Sequence, residues 1–186
     1  MTTKTWTISN ILSVSRIVLM IPAVYVLATP SPFHREIAVL IMLAAVVTDA
    51  LDGYFARRFN EISDFGKIID PLADKVSIGV VVVMLVIFGD IPLWFAVLAL
   101  TRDAIIFLGG VYIKAKTGIV LPSTMSGKVT VAFLALYLIL SILQYTYFAG
   151  IMIPLQWLCV MLMGYSLAVY SKRFFYSLKN SNNKGK

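Results

Sequence analysis

Four aspartates, Asp49, Asp52, Asp70 and Asp74, punctuate the stretch DALDGYFARRFNEISDFGKIIDPLAD that runs from 49 to 74. On a helix, side chains three or four residues apart share a face. Asp49 therefore pairs with Asp52, and Asp70 with Asp74. Apolar runs on both sides place the stretch at or inside a bilayer, where an ionised carboxylate is costly and usually marks a functional site. Four such charges presented to one seam need neutralising. Oxygen-only ligands suit magnesium or manganese, and two divalent ions would balance four carboxylates. Gly53 and Ala56 keep one face narrow enough for a ligand phosphate or another backbone to approach, and Gly66 opens a second close approach. Arg57 leans to the side of Asp49 and can grip a diphosphate with its planar fork. These residues point to a membrane enzyme that handles a phosphorylated substrate through bound divalent metal. Ordinary capping would explain Asp64, and Asp70 as an N-cap before Pro71. It does not explain Asp49, which precedes Ala50 and Leu51 at the end of an apolar run.

Other chemistries find little support. The single histidine, His34, lies in Phe33-His34-Arg35 on the opposite side of the membrane and reads as an interfacial residue, which closes a phosphohistidine route. Lys128 is followed by Val129, and Gly127 has no glycine five residues before it, so no Walker-type loop is present. The single Cys159, between Leu158 and Val160, excludes an internal disulfide and a cysteine metal cluster.

The elements that must position these residues are membrane helices. The chain has 186 residues, 60% of them hydrophobic and 13% charged, against roughly 45–50% and 25% in soluble domains. Six apolar stretches reach the roughly 20 residues needed to span a bilayer, at about 10–29, 36–56, 70–89, 91–113, 127–148 and 150–171. The chain is thus expected to be an all-α integral membrane protein with six transmembrane helices. Of its 16 Lys and Arg, all but Arg35 and the intramembrane Arg102 fall on the side that holds both termini. The positive-inside rule makes that side, and the aspartate stretch with it, cytoplasmic. The net charge of +7 then belongs to a membrane surface rather than to nucleic acid. Trp6 near Lys4 fits a short interfacial segment over 1–9, and Arg16 argues against a cleaved signal peptide. Residues 1–176 form one expected domain, and the polar 177–186 an expected disordered tail.

The spacing D-x2-D-G-x2-A-R-x8-G-x3-D-x3-D resembles the signature of the CDP-alcohol phosphotransferases. Each of its fixed positions is filled, by Asp49, Asp52, Gly53, Ala56, Arg57, Gly66, Asp70 and Asp74. The resemblance extends to the six-helix plan and so to nearly the whole chain. It implies transfer of a substituted phosphate from a CDP-linked lipid or alcohol to an acceptor hydroxyl, with release of CMP. It implies that Asp49, Asp52 and Asp70 hold two Mg2+ or Mn2+ ions, with Asp74 beside them as general base. It also implies that Asp49, Asp52, Gly53, Ala56, Arg57 and Gly66 line the CDP site, and that the protein is a homodimer.

Within that family, Asn10-Ile11-Leu12-Ser13-Val14-Ser15-Arg16 resembles the N-x-L-[ST]-x-x-R start of the bacterial phosphatidylglycerophosphate synthase branch. Asp70-Pro71-Leu72-Ala73-Asp74-Lys75 is similar to the same branch. That would make CDP-diacylglycerol the donor and glycerol 3-phosphate the acceptor, in the cell (inner) membrane with the site facing the cytoplasm. The acceptor's phosphate needs cations. Arg102 is the foremost candidate, because a lone Arg deep in a span is costly. The neighbouring Asp103 is expected to point away from it. Lys128, opening the fifth span, could reach the same pocket, and Arg173 at the end of the sixth is a third candidate. Snorkelling to lipid headgroups is the alternative use of Lys128 and Arg173. Two departures stand out: Arg102-Asp103 replaces the branch's Arg-Glu, and Gly127-Lys128-Val129-Thr130-Val131 lacks the second lysine of G-K-x-K-T. They leave inositol phosphate, phosphatidylglycerol (for cardiolipin) and serine as alternative acceptors. A divalent-cation transporter is the competing reading from another class, and an inactive scaffold a third. Against the transporter, the acidic residues cluster at one membrane face, and the outer half offers only Glu36 and Asp90.

Overall fold

The computed structural model describes residues 8–59, 66–117 and 124–184, without the side chains of 8–14, 16, 17, 49–59, 66–75, 117 and 180–184. Every regular element among them is helical: α1 (Ile8–Ala28), α2 (His34–Phe59), α3 (Gly66–Ile87), α4 (Leu93–Thr117), α5 (Met125–Leu143), a 3-10 turn (Thr146–Phe148) and α6 (Ala149–Lys184). Contacts divide the chain into two units, Met1–Phe88 and Gly89–Lys186.

In the first unit α1 packs on both α2 and α3. Small buried residues, Ala23 on α1 with Ala38 and Ala45 on α2, suit the close backbone approach that drives helix association in lipid. Prolines break the chain between α1 and α2. Thr29 Oγ1 donates to Tyr25 O at 2.9 Å as α1 ends, and His34 Nδ1 lies 2.6 Å from Ser31 O where α2 begins. Phe33 takes up the reversal at φ 63°.

In the second unit α6 packs on both α4 and α5. The Phe95 and Tyr137 rings, 4.7 Å apart, join α4 to α5. Trp94 and Trp157, 6.0 Å apart, join α4 to α6. Thr124 starts α5 from an extended backbone (φ −87°, ψ 152°) and caps it by accepting from Gly127 N. At the other end of α5, Gln144 adopts a left-handed cap (φ 50°), and its side-chain amide donates to Asp90 Oδ1.

Among the described residues, three stretches are long and apolar enough to cross a membrane: Leu93–Lys116, Met125–Leu143 and Thr146–Lys179. Val18–Ala28 and Val76–Ile87 are shorter apolar helices. Large apolar side chains such as Leu98, Ile105, Leu108, Ile153 and Met161 are exposed along these helices. That is costly in water and expected where the solvent is hydrocarbon. The protein is a multi-pass membrane protein.

Two expectations from the sequence change. Asp70 and Pro71 lie inside α3, which already starts at Gly66, so capping does not account for Asp70. The polar segment from residue 177 continues α6 as helix to Lys184, because no glycine or proline interrupts it before Gly185.

Candidate active site

Asp49, Asp52, Gly53, Ala56 and Arg57 lie on the last turns of α2. Gly66, Asp70 and Asp74 lie on the first turns of α3. Both segments are helical, so the three-residue spacing of Asp49 and Asp52 puts them on one face of α2, and the four-residue spacing of Asp70 and Asp74 puts them on one face of α3. The side chains of these eight residues lie outside the described residues, as does Asp64. Among the described residues, no group of three His, Cys, Asp or Glu could hold a metal ion. The oxygen-only donor set and its placement in two same-face pairs fit hard divalent cations.

Arg102, Lys128 and Arg173 lie on α4, α5 and α6 of the second unit. Arg102 is only 6% exposed. Its Nη1 makes an ion pair of 2.6 Å with Asp103 Oδ1, and its Nη2 donates to the fully buried Ser166 Oγ on α6. Its Nε is buried with no hydrogen-bond partner. A Cβ added to Gly127 would stand 4.0 Å from Arg102 Nη2, so the guanidinium also lies against the first turn of α5. That turn is the positive end of a helix dipole. Thr124 Oγ1 accepts from Gly127 N at 3.0 Å and from Ser126 Oγ at 3.1 Å there. Lys128 follows directly and is exposed. Arg173 is exposed as well and sits seven residues beyond Ser166, two turns along the same face of α6.

The Arg102–Asp103 pair corrects the expectation that adjacent helix residues point apart. Their Cβ atoms do diverge, but the long arginine stem lets the guanidinium swing across to the shorter carboxylate. Asp103 thus fixes part of the guanidinium and offsets part of its charge. Ser166 escaped the sequence reading altogether. The available signal was a hydroxyl set in the apolar run Leu162-Met163-Gly164-Tyr165-Ser166-Leu167, which needs a partner when buried. Thr130 stands where the second lysine of G-K-x-K-T would be. It is fully buried, with its Oγ1 2.7 Å from Ser126 O and 3.1 Å from Leu162 O on α6. In this chain the position belongs to the seam between α5 and α6.

With this geometry established, similarity to known proteins decides the family. The CDP-alcohol phosphatidyltransferase family matches residues 6–164. The chain belongs to that family. Its signature residues on α2 and α3 and the cations of α4 and α5 all lie within the matched span. Relatives called CDP-diacylglycerol–glycerol-3-phosphate 3-phosphatidyltransferase include proteins from Rickettsia bellii (strain RML369-C), 34% identical over 97 residues, and Bacillus subtilis (strain 168), 36% identical over 96 residues. Each alignment covers 52% of this chain, with 54% of the first relative and 49% of the second. The Mycoplasma pneumoniae (strain ATCC 29342 / M129 / Subtype 1) protein of the same name is 31% identical over 148 residues, 69% of this chain and 65% of its own length. The chain thus spans about half the length of the first two curated relatives it matches. Membership of this family sets the transporter reading aside.

Proposed function

We propose that this chain is a metal-dependent transferase that moves a phosphatidyl group from CDP-diacylglycerol to glycerol 3-phosphate, giving phosphatidylglycerophosphate and CMP in phospholipid biosynthesis. The observation that carries a phosphorylated acceptor is Arg102: a buried guanidinium, with an unpartnered Nε, set against the start of α5. A buried cation beside a helix N-terminus suits a phosphate. It has little to offer a neutral alcohol. Among phosphorylated acceptors, the relatives' names point to glycerol 3-phosphate.

In this reading Asp49, Asp52 and Asp70, with Asp74 beside them, would hold two divalent ions, Mg2+ or Mn2+. When bound, such ions neutralise the charge of the diphosphate as the CMP oxygen departs. Gly53, Ala56 and Gly66 let the nucleotide approach the backbone closely, and Arg57 forks onto the diphosphate. Asp74 takes the proton of the acceptor hydroxyl as its oxygen attacks the phosphatidyl phosphorus. Arg102, aided by Lys128 and Arg173, binds the acceptor's phosphate. The enzyme crosses the cell membrane six times, with both termini and the aspartates in the cytoplasm, as the Lys and Arg distribution supports, and the family resemblance supports a homodimer.

The test is a panel assay. Purified protein receives CDP-diacylglycerol, magnesium and one acceptor at a time: glycerol 3-phosphate, inositol phosphate, phosphatidylglycerol or serine. CMP and the lipid product are scored. Glycerol 3-phosphate is expected to turn over fastest. Preference for serine or phosphatidylglycerol would overturn the assignment of Arg102.

A further inference from the structure

We infer that Ser166 is a positioning residue for the acceptor's phosphate, acting through Arg102. This rests on the reading of Arg102 as the phosphate ligand.

Arginine carries a long, rotatable stem and a rigid planar head. Asp103 anchors that head at Nη1, but it is the next residue on the same helix, and one anchor leaves the plane free to pivot. Ser166 supplies a second anchor at Nη2 from a different helix. Two points fix the plane, and with it the direction in which the unpartnered Nε and the remaining N–H groups face. The chemistry of the second anchor matters too. A hydroxyl accepts a hydrogen bond without adding negative charge, whereas a second carboxylate beside Asp103 would leave the cluster net negative and repel a phosphate. The same part of α6 also holds α5: Thr130 Oγ1 lies 3.1 Å from the carbonyl of Leu162, one turn before Ser166. One stretch of α6 therefore registers both the guanidinium and the first turn of α5, where Lys128 begins its reach.

The experiment compares Ser166→Ala, Arg102→Ala and the double variant in purified, detergent-solubilised protein, reading kcat and KM for each substrate. Ser166→Ala is expected to raise KM for glycerol 3-phosphate about tenfold, the equivalent of ~1.4 kcal/mol. Its kcat, and its KM for CDP-diacylglycerol, should stay within about twofold of native, because uniform acceptor binding is lost rather than a transition-state contact. In the Arg102→Ala background the serine substitution should add nothing, since its effect runs through the missing guanidinium. Ser166→Thr, which keeps the oxygen, should hold KM within about twofold of native. An unchanged KM in Ser166→Ala, with a large rise in Arg102→Ala, would overturn the role of Ser166 and leave the phosphate site standing. So would a parallel loss for both substrates with a lowered melting temperature, or a rise in KM in Ser166→Thr. An unchanged KM in Arg102→Ala would instead remove the phosphate site itself.

Discussion

Replacing Arg102 by lysine keeps the charge and removes the fork. The native guanidinium reaches Asp103 at 2.6 Å and Ser166 on α6 at the same time, and still has N–H groups for a ligand. A lysine ammonium is a single point with three donors on a flexible stem. It can hold Asp103 or turn to Ser166 and a phosphate, but it cannot span all three. The loss is about one hydrogen bond to a charged group, worth ~1.5–3 kcal/mol. At ~2 kcal/mol, KM for glycerol 3-phosphate should rise about thirtyfold. kcat should fall less than about threefold, because the phosphate is remote from the reacting bond and its contacts serve substrate and transition state alike. KM for CDP-diacylglycerol should not move, its contacts being assigned to α2 and α3. Initial rates of CMP release in mixed micelles, with each substrate varied in turn, provide the measurement. A native KM for glycerol 3-phosphate, or an equal rise for both substrates, would refute the assignment of Arg102 to the acceptor's phosphate.

Other consequences are testable in the same preparation. Asp74→Asn should abolish turnover while the protein still binds CDP in the presence of manganese; a native rate would remove the base from this residue. Thr130→Val should lower stability by ~1 kcal/mol or less, seen as a fall of a few degrees in melting temperature, since it deletes the hydroxyl between α5 and α6 without changing volume much. An unchanged melting temperature would show that this hydroxyl does not hold the seam. Native Cys159 is fully buried, so cysteines introduced by Ser31→Cys and Ser181→Cys report topology cleanly. An impermeant maleimide added to whole cells should label the first and spare the second; the reverse pattern would invert the orientation.

Much of this architecture is legible in the sequence, for physical reasons. Hydrocarbon demands long apolar helices, so each of the six apolar stretches falls on one of the helices α1–α6, and among the described residues three are long and apolar enough to cross a membrane. Most ends shift by a few residues, while α6 runs on past residue 171 to Lys184. The aspartate pattern is legible because an ionised carboxylate at the membrane is costly, and its three- and four-residue spacings put the pairs on shared faces of helices, which α2 and α3 provide; the catalytic role belongs to the proposal. What the sequence conceals is contact between distant elements. Nothing around Ser166 announces Arg102, which lies 64 residues away. The pairing of Arg102 with Asp103 depends on a side-chain rotamer rather than on helical phase. Pro71 hides the start of α3 at Gly66, because it looks like a first helical position yet is the sixth residue of the helix. The helical continuation of α6 shows that a polar segment without glycine or proline can extend a helix that packing has already nucleated.

The proposed enzyme stands or falls on the aspartates of α2 and α3 serving metal-dependent transfer of a phosphatidyl group. It is tested most directly by following CMP release from CDP-diacylglycerol by the purified protein, with and without glycerol 3-phosphate, magnesium and the Asp70→Asn substitution. CMP and phosphatidylglycerophosphate should appear in equal amounts only when acceptor, metal and the native aspartate are all present. CMP release that persists in chelator, or in Asp70→Asn at the native rate, would contradict it.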